Sequence, residues 1–566
     1  MSNTPMRARG SSHSKRRPAA ARGREVAGSG TPPRWTEPAG LIMLMVVGAV
    51  AAVTLYVRWR LATVPLERDE GEYAYAGQLI LDGLPPYSAV YNMKFPGAYY
   101  AYAAVMAVLG QTDWAIRMGL LITHLATAGF VFAVARRWAG PLAAVISAAT
   151  FMLLGLDRWA MGIFAHATHF IALTGVASIY CLERGRESSR GGWFVAAGVA
   201  AGLAVVMKQH AAAFPLLAAA LAMWDGPGGH LIAPWRRAGL VSAGVVVPLA
   251  ATLVVLGAAG VLDRFWFWTF QYAASYVSIN SPADAWPIFT FAWGFITQAN
   301  WWLWYSGVAG LVLLFVTRWP GHVRLTLGGF ALAAALSVIP GFYFRPHYFI
   351  VLMPAAAWLA GIAAATLARG VARHASASAA GSLVVLAFAG GVAAPYVAAE
   401  SRYLFQLTPD EVSRVVYDYN PFPESRAIAA YLARHTSPAD RVVVFGSEPQ
   451  IYFYSQRRSA TGYIYTYPLM ERQPFASTMQ REMMREVEAA RPTHMVFVAI
   501  AASWGGQPGS DRSLLQWANE YTARCFDRVG VADIRPDGTR FVWDDAARDY
   551  PIQSKFLVMT FRRTRC

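Results

Sequence analysis

Cysteine is scarce: this chain of 566 residues holds three, Cys181, Cys525 and Cys566. No two form a C-x-x-C pair, so neither a zinc site nor a dithiol redox motif is encoded, while a Cys525–Cys566 disulfide stays open. Charge is scarce as well, 14% against 56% hydrophobic residues, with a mean hydropathy of +0.33. That balance excludes an ordinary soluble enzyme and points to a polytopic membrane protein. No internal repeat of solenoid period is present. The net charge of +16 comes without a base-stacking module, so no nucleic-acid partner is expected. Eight Lys/Arg lie between Arg7 and Arg34 in a Pro/Gly/Ser/Ala-rich stretch, and residues 1–38 read as a disordered basic cytoplasmic tail. The tail is too long for a cleaved signal peptide. The run from Ala39 to Trp59 is long enough to span, so it reads as an anchor.

What is abundant is apolar segments. Spans are expected at 39–59, 115–135, 139–156, 166–182, 193–207, 210–224, 237–262, 297–317, 325–341, 346–367 and 378–398. The stretch 95–110 reaches only about 24 Å as a helix, short of the roughly 30 Å hydrocarbon core. Charge decides whether it crosses. If it does not, Arg136/Arg137, Arg184/Arg186/Arg190, Arg236/Arg237, Arg318/Arg324 and Arg369/Arg373 all face the cytoplasm, whereas a crossing would move every one of them outside. About eleven spans are therefore expected, with 95–110 interfacial or re-entrant and the C-terminal region extracytoplasmic. On the outer face lie the acidic stretch 60–94, "LDRWAMGIFAHATH", "MKQH", a long aromatic loop at 263–296 and "FYFRPHYF". The aromatic loop reads either as a headgroup-layer belt or as a platform for a lipid chain or sugar ring.

From about Glu400 the pattern changes to short apolar runs alternating with amphipathic stretches. Helices are expected at "ESRAIAAYLARHT" and 471–490, and strands at "DRVVVFG", "HMVFVAIA", 540–545 and 554–561. Residues 400–566, about 165 in all, read as a small α/β domain after a membrane domain at 39–399.

The densest acidic cluster, "LERDEGEYAYAGQLILDGLPPY", directly follows the first span. Residues 70–81 fit a short helix, with Asp69 near its N-cap and Gly83 just past its end. A carboxylate at the positive pole is held ionised and available as a base or ligand, but acids there also simply cap surface helices. Glu67, Glu72 and Asp82 read as solvated structure. Lys94 ends the same loop, and Lys208 and His210 sit between apolar runs, where a cation either binds an anion or snorkels to the interface. Arg345 offers a planar fork suited to phosphate, His347 adds a proton-dependent donor, and Pro346 interrupts the helix between them. His166 and His169 read as helix-to-helix hydrogen-bonding residues.

With these residues assembled, the chain resembles the GT-C glycosyltransferases that use polyprenyl-phosphate sugars. It is most similar to the family 39 type, which includes protein O-mannosyltransferases and lipid A aminoarabinose transferase. The resemblance rests on "ERDEGEYAYAGQLILDGLPPY", "NMKFPGAYY", "RPHYFIVLMPAAAWLAG" and "RVVVFGSEPQIYFYSQRRSATGYIY". One departure is "KFPG", where the family usually has a double proline. The resemblance implies a GT-C-like bundle whose first external loop, 60–114, is catalytic, in a bacterial inner or plasma membrane. It implies a hexosyl- or pentosyltransferase acting on a lipid, polysaccharide or protein acceptor among membrane lipids. Asp69 would be the general base, and Glu70 would hold a neighbouring sugar hydroxyl or, with Asp69, a divalent Mg or Mn ion, which some members use and others do not. Lys94, Lys208, His210, Arg345 and His347 would bind the donor phosphate, and a single displacement would invert the anomeric carbon. The competing readings are a transporter or flippase for an anionic lipid or solute, and a non-catalytic scaffold.

Overall fold

Each expected span falls on a helix of the computed structural model, which describes Met1, residues 38–224 and residues 231–566. The expected tail lies almost wholly outside the described residues. Residues 33–566 form one unit. The first eight helices are α1 Pro38–Arg60, α2 Arg68–Leu81, α3 Gly97–Leu109, α4 Asp113–Leu154, α5 Ala167–Ser188, α6 Gly191–Met207, α7 Ala213–Met223 and α8 Pro234–Ala258. α4 absorbs two expected spans. Its 42 residues would measure about 63 Å as one straight rod, roughly twice the hydrocarbon thickness. It breaks instead at Gly140, whose φ of 83° suits glycine, ahead of Pro141, which has no N–H to continue the ladder.

By length and composition, five described helices are able to cross a membrane: α1, α4, α8, Pro346–Val371 and Ala377–Ala399. Pro282–Thr297 and Trp301–Val316 pass together across a 115° bend. The figure of eleven counts α4 twice and also includes α6, Gln209–Met223 and Gly321–Leu336, which are apolar but shorter, and α5, which is long enough but is not among the helices that pass on length and composition. The aromatic stretch expected as a loop at 263–296 is mostly helical. Its second half is launched by the Ser281–Asp284 capping box with Pro282 in the first turn, a helix start that the Trp/Phe content hides.

The C-terminal region carries a six-stranded mixed sheet: β1 Arg441–Phe445, β2 Arg458–Ser459, β3 His494–Ala499, β4 Phe526–Arg535, β5 Gly538–Trp543 and β6 Leu557–Arg563, in the order β2-β1-β3-β6-β4-β5. β2, β1 and β3 run parallel, and the remaining pairings are antiparallel. Helix Phe422–His435 and strands β1, β3, β5 and β6 fall where the periodicity predicts them, whereas β2 and β4 are additions. Cys525, just before β4, is joined to Cys566 by a disulfide, with Cα atoms 5.3 Å apart.

The sheet does not stand off from the helices. Leu66, Tyr73 and Leu79 of the first loop and α2 share one apolar core with Val442 and Val444 of β1 and Val496 of β3. Where α2 meets helix Gln450–Ser455, a Cβ on Gly71 would sit 2.6 Å from the Gln450 nitrogen, so glycine is required for that approach. This contact places the segment after β2 beside the N-terminus of α2.

Candidate active site at the N-terminus of α2

α2 begins with a capping box made by two glutamates. Glu67 is the N-cap and accepts from the Glu70 N–H at 2.9 Å, while Glu70 accepts from the Glu67 N–H at 3.2 Å. Asp69 is therefore the second helical residue rather than the cap. Glu70 is fully buried, paired with Arg117 of α4 at 2.8 Å and with the Ala165 N–H. Its oxygens are consumed in fastening α2 to α4 and to the segment before α5.

Asp69 points elsewhere and keeps 22% of its side chain accessible. Its Oδ1 accepts from Lys94 Nζ at 2.9 Å and from the Tyr465 hydroxyl at 2.8 Å. Its Oδ2 faces His166 Nδ1 at 3.8 Å and His347 Nε2 at 3.9 Å. The two imidazoles stack, with centroids 4.2 Å apart. Lys94 also reaches Glu72 Oε2 at 2.6 Å, and Glu72 takes a further hydrogen bond from Tyr99. Glu72, expected as a solvated acid, has no exposed surface. It shares the α2 face of Asp69 and completes a lysine-centred triad.

These contacts set the charge states. Burial opposes ionisation of Asp69, but Lys94 foremost and then the two imidazoles hold its carboxyl well below the usual range. Burial disfavours the Lys94 cation too, yet Asp69 and Glu72 lift its pKa well above the ordinary value. Glu72 is pushed up by burial, with Lys94 working against the shift. Glu67 is pushed up to about 8 by burial and by the neighbouring Asp69 charge. The cluster thus holds Asp69 ionised between an ammonium and two imidazoles.

A family model described as dolichyl-phosphate-mannose-protein mannosyltransferase matches residues 93–256, a stretch that includes Lys94, His166 and Lys208. The structure is similar to ArnT from Cupriavidus metallidurans bound to undecaprenyl phosphate, with 18% identity, a TM-score of 0.55, and coverage of 93% of this chain and 98% of that one. The same enzyme in the apo state matches at 17% identity and TM-score 0.55, over 92% and 97% of the two chains. The Archaeoglobus fulgidus oligosaccharyltransferase tethered to an acceptor peptide matches at 12% identity and TM-score 0.52, over 92% and 75%. The chain has the GT-C glycosyltransferase fold. No curated protein sequence matches it.

On this GT-C frame, five segments converge on Asp69: the loop carrying Lys94, the N-cap of α5 with His166, the turn after α6 with Lys208, the turn at Pro346 with His347, and the segment after β2 with Tyr465. Lys208 lies over the Tyr348 ring with Nζ 4.2 Å from its centroid, and Arg345 lies 5.4 Å from the Tyr343 centroid. His210 is a step removed. Its Nδ1 bonds the Ser337 carbonyl at 2.6 Å, and its ring reaches the site through Tyr348 at 5.2 Å.

The expected Asp69–Glu70 metal pair does not form, because Glu70 is committed to Arg117 and the capping box. The atoms that converge are one oxygen of Asp69 and one ring nitrogen each of His166 and His347, all within 4.8 Å of one another. His166 is 2% exposed, and neither of its ring nitrogens has a hydrogen-bond partner among the described residues. A carboxylate with two imidazoles fits a divalent ion such as zinc better than magnesium or manganese. Glu72, His166 and Tyr465 are the site residues sequence reasoning missed. His166 carried a signal, an ionisable group beside a span, whereas Tyr465 is one of 26 tyrosines and carried none.

Proposed function

We propose that this protein transfers a sugar from a polyprenyl-phosphate-linked donor to an acceptor hydroxyl on the extracytoplasmic side of a membrane, by one inverting displacement. The observation that carries the reading is the asymmetry of Asp69. Lys94 and Tyr465 anchor one oxygen, while the other accepts no hydrogen bond among the described residues and the side chain stays partly open. Oδ2 takes the acceptor proton as the acceptor oxygen bonds to the anomeric carbon and the carbon–phosphate oxygen bond breaks. The electron pair leaves with the donor phosphate. Lys208 and Arg345, already held against tyrosine rings, stabilise that anion without rearranging. A divalent ion held by Asp69, His166 and His347 would take Oδ2 as its ligand in place of the base role and would supply Lewis-acid stabilisation of the phosphate oxygens.

The polyprenyl-phosphate donor is supported by the undecaprenyl phosphate bound to ArnT and by the family model's dolichyl-phosphate-mannose description. Eleven spans with a cytoplasmic N-terminus and an outer C-terminal domain remain the topology we favour. The Cys525–Cys566 disulfide supports it, since such bonds persist in oxidising compartments. The test is Asp69→Asn in purified protein supplied with a polyprenyl-phosphate sugar. Loss of a general base lowers turnover by about 10²–10⁴-fold while the protein stays folded and binds donor. Full turnover by a folded Asp69→Asn protein overturns the assignment.

A further inference from the structure

A cavity of about 580 Å³ opens between the C-terminal half of α2 and the β1–β2 edge of the sheet, away from the Asp69 cluster. From Asp69 to Asp82 is thirteen residues, or about 20 Å along the helix axis. The helix side contributes Gln78, Asp82 and Gln111, and the sheet side Arg441, Gln456 and Arg458. Arg441 and Arg458 are register partners on neighbouring parallel strands. Like charges at paired positions repel, so the fold holds here an arrangement unfavourable by itself. One carboxylate answers it, Asp82 at 3.4 Å from Arg458, and both of those side chains are about two-fifths exposed, which makes the contact weak. Among the described residues, the Arg441 guanidinium has no ion-pair partner.

Arg457, on the same wall, is different. Its guanidinium is spent on the carbonyls of Ala433, Thr436, Ser455 and Gln456 and on the Thr436 hydroxyl, so it shapes the wall and offers nothing to a ligand. The two remaining forks suit a carboxylate or phosphate, which both arginines could grip at once. Around them the three glutamine amides offer neutral donors and acceptors, which match sugar hydroxyls. Gln78 and Gln111 already bond each other at 2.8 Å, so they present a fixed pair.

We propose that this cavity is a second ligand site that binds an acidic saccharide through its carboxylate or phosphate group, with Arg441 and Arg458 as the anion clamp. The site is separate from the proposed transfer centre, because among the described residues no hydrogen bond or ion pair joins Arg441 or Arg458 to Asp69, Lys94, His166 or His347.

The test measures binding of glucose 6-phosphate and glucuronate to the full-length protein in detergent, with uncharged glucose as control. Vesicles containing phosphatidylglycerol form a separate arm. Saturable binding of either acidic sugar is expected, weakened at least about tenfold in Arg441→Gln/Arg458→Gln and unchanged in Asp69→Asn. Arg441→Gln alone, at an exposed position, shows the same direction and guards against misfolding of the double variant. The proposal is overturned if neither acidic sugar binds, or if the variants bind as well as the parent. It is also overturned if the variants lose only association with phosphatidylglycerol vesicles, which would make the clamp a lipid-headgroup site.

Discussion

Replacing Lys94 with methionine keeps the side chain's reach and removes its charge. Nζ bridges Glu72 at 2.6 Å and Asp69 at 2.9 Å, and Lys94 itself is 9% exposed. Removing one partner of a buried ion pair costs about 3–5 kcal/mol, because the other charge is left uncompensated. Asp69 retains water on 22% of its side chain while Glu72 has none, so most of the loss falls on Glu72, and we expect a value near the low end, about 3 kcal/mol. The sign of the pH dependence follows. Burial already lifts the Glu72 pKa above 4.5 and Lys94 opposes the lift, so the variant raises it further. An acid with a raised folded pKa contributes stability that is full below its unfolded value and is lost as pH rises through the folded one. The Lys94→Met penalty should therefore be small near pH 5 and grow toward pH 8. Lys94→Met/Glu72→Gln, which removes the stranded charge, should recover most of it. Unfolding followed by tryptophan fluorescence at both pH values completes the double-mutant cycle. If Lys94→Met unfolds like the parent at pH 8, or if the two single losses simply add, the triad does not have the role assigned to it.

Two further variants probe the frame around the site. Glu70→Gln leaves the Arg117 guanidinium, 4% exposed, without its carboxylate, and should lower stability by about 3 kcal/mol while donor KM in the folded fraction stays unchanged; a selective kinetic defect would return Glu70 to the reacting centre. Cys525→Ser/Cys566→Ser opens a loop of sequence separation 41 and should cost about 2–4 kcal/mol. Dithiothreitol should lower the unfolding midpoint of the parent and not of that variant, and equal sensitivity would mean that the bond does not form.

Hydropathy located the helices because a span needs a long apolar run whatever it packs against. All eleven expected spans land on helices, and Gly140-Pro141 separates two of them. The sheet was partly legible through the alternation in "DRVVVFG" and "HMVFVAIA". The two-residue β2 is too short to carry a period, and β4 begins directly after a helix that ends at Cys525, with no turn residues to mark the change. The 263–296 stretch reads as a loop because its aromatic content matches an interfacial belt as well as it matches a helix, yet it is mostly helical. Lys208 and His210 read as costly ionisable groups between apolar runs and Asp69 as a carboxylate near a helix start, and the structure brings Lys94 and His347 to Asp69. Tyr465 was not legible, since its role depends on a contact across 396 positions that only the docking of the sheet against α2 creates.

The placement of Glu70 follows from a spacing present in the sequence. Successive residues on a helix point about 100° apart, so Asp69 and Glu70 cannot share a target, whereas positions three apart lie on one face. Two such pairs exist, Glu67 with Glu70 and Asp69 with Glu72, and the structure gives them different work. The first closes the capping box and binds Arg117, and the second grips Lys94. Adjacency in sequence had suggested one acidic centre. Helical geometry makes two, one that anchors the start of α2 and one that holds a single oxygen of Asp69 against Lys94 and Tyr465. Neutralising Glu70 or Glu72 should therefore lower the unfolding midpoint far more than Asp82→Asn, since Asp82 lies at the other end of the helix with 45% of its side chain exposed.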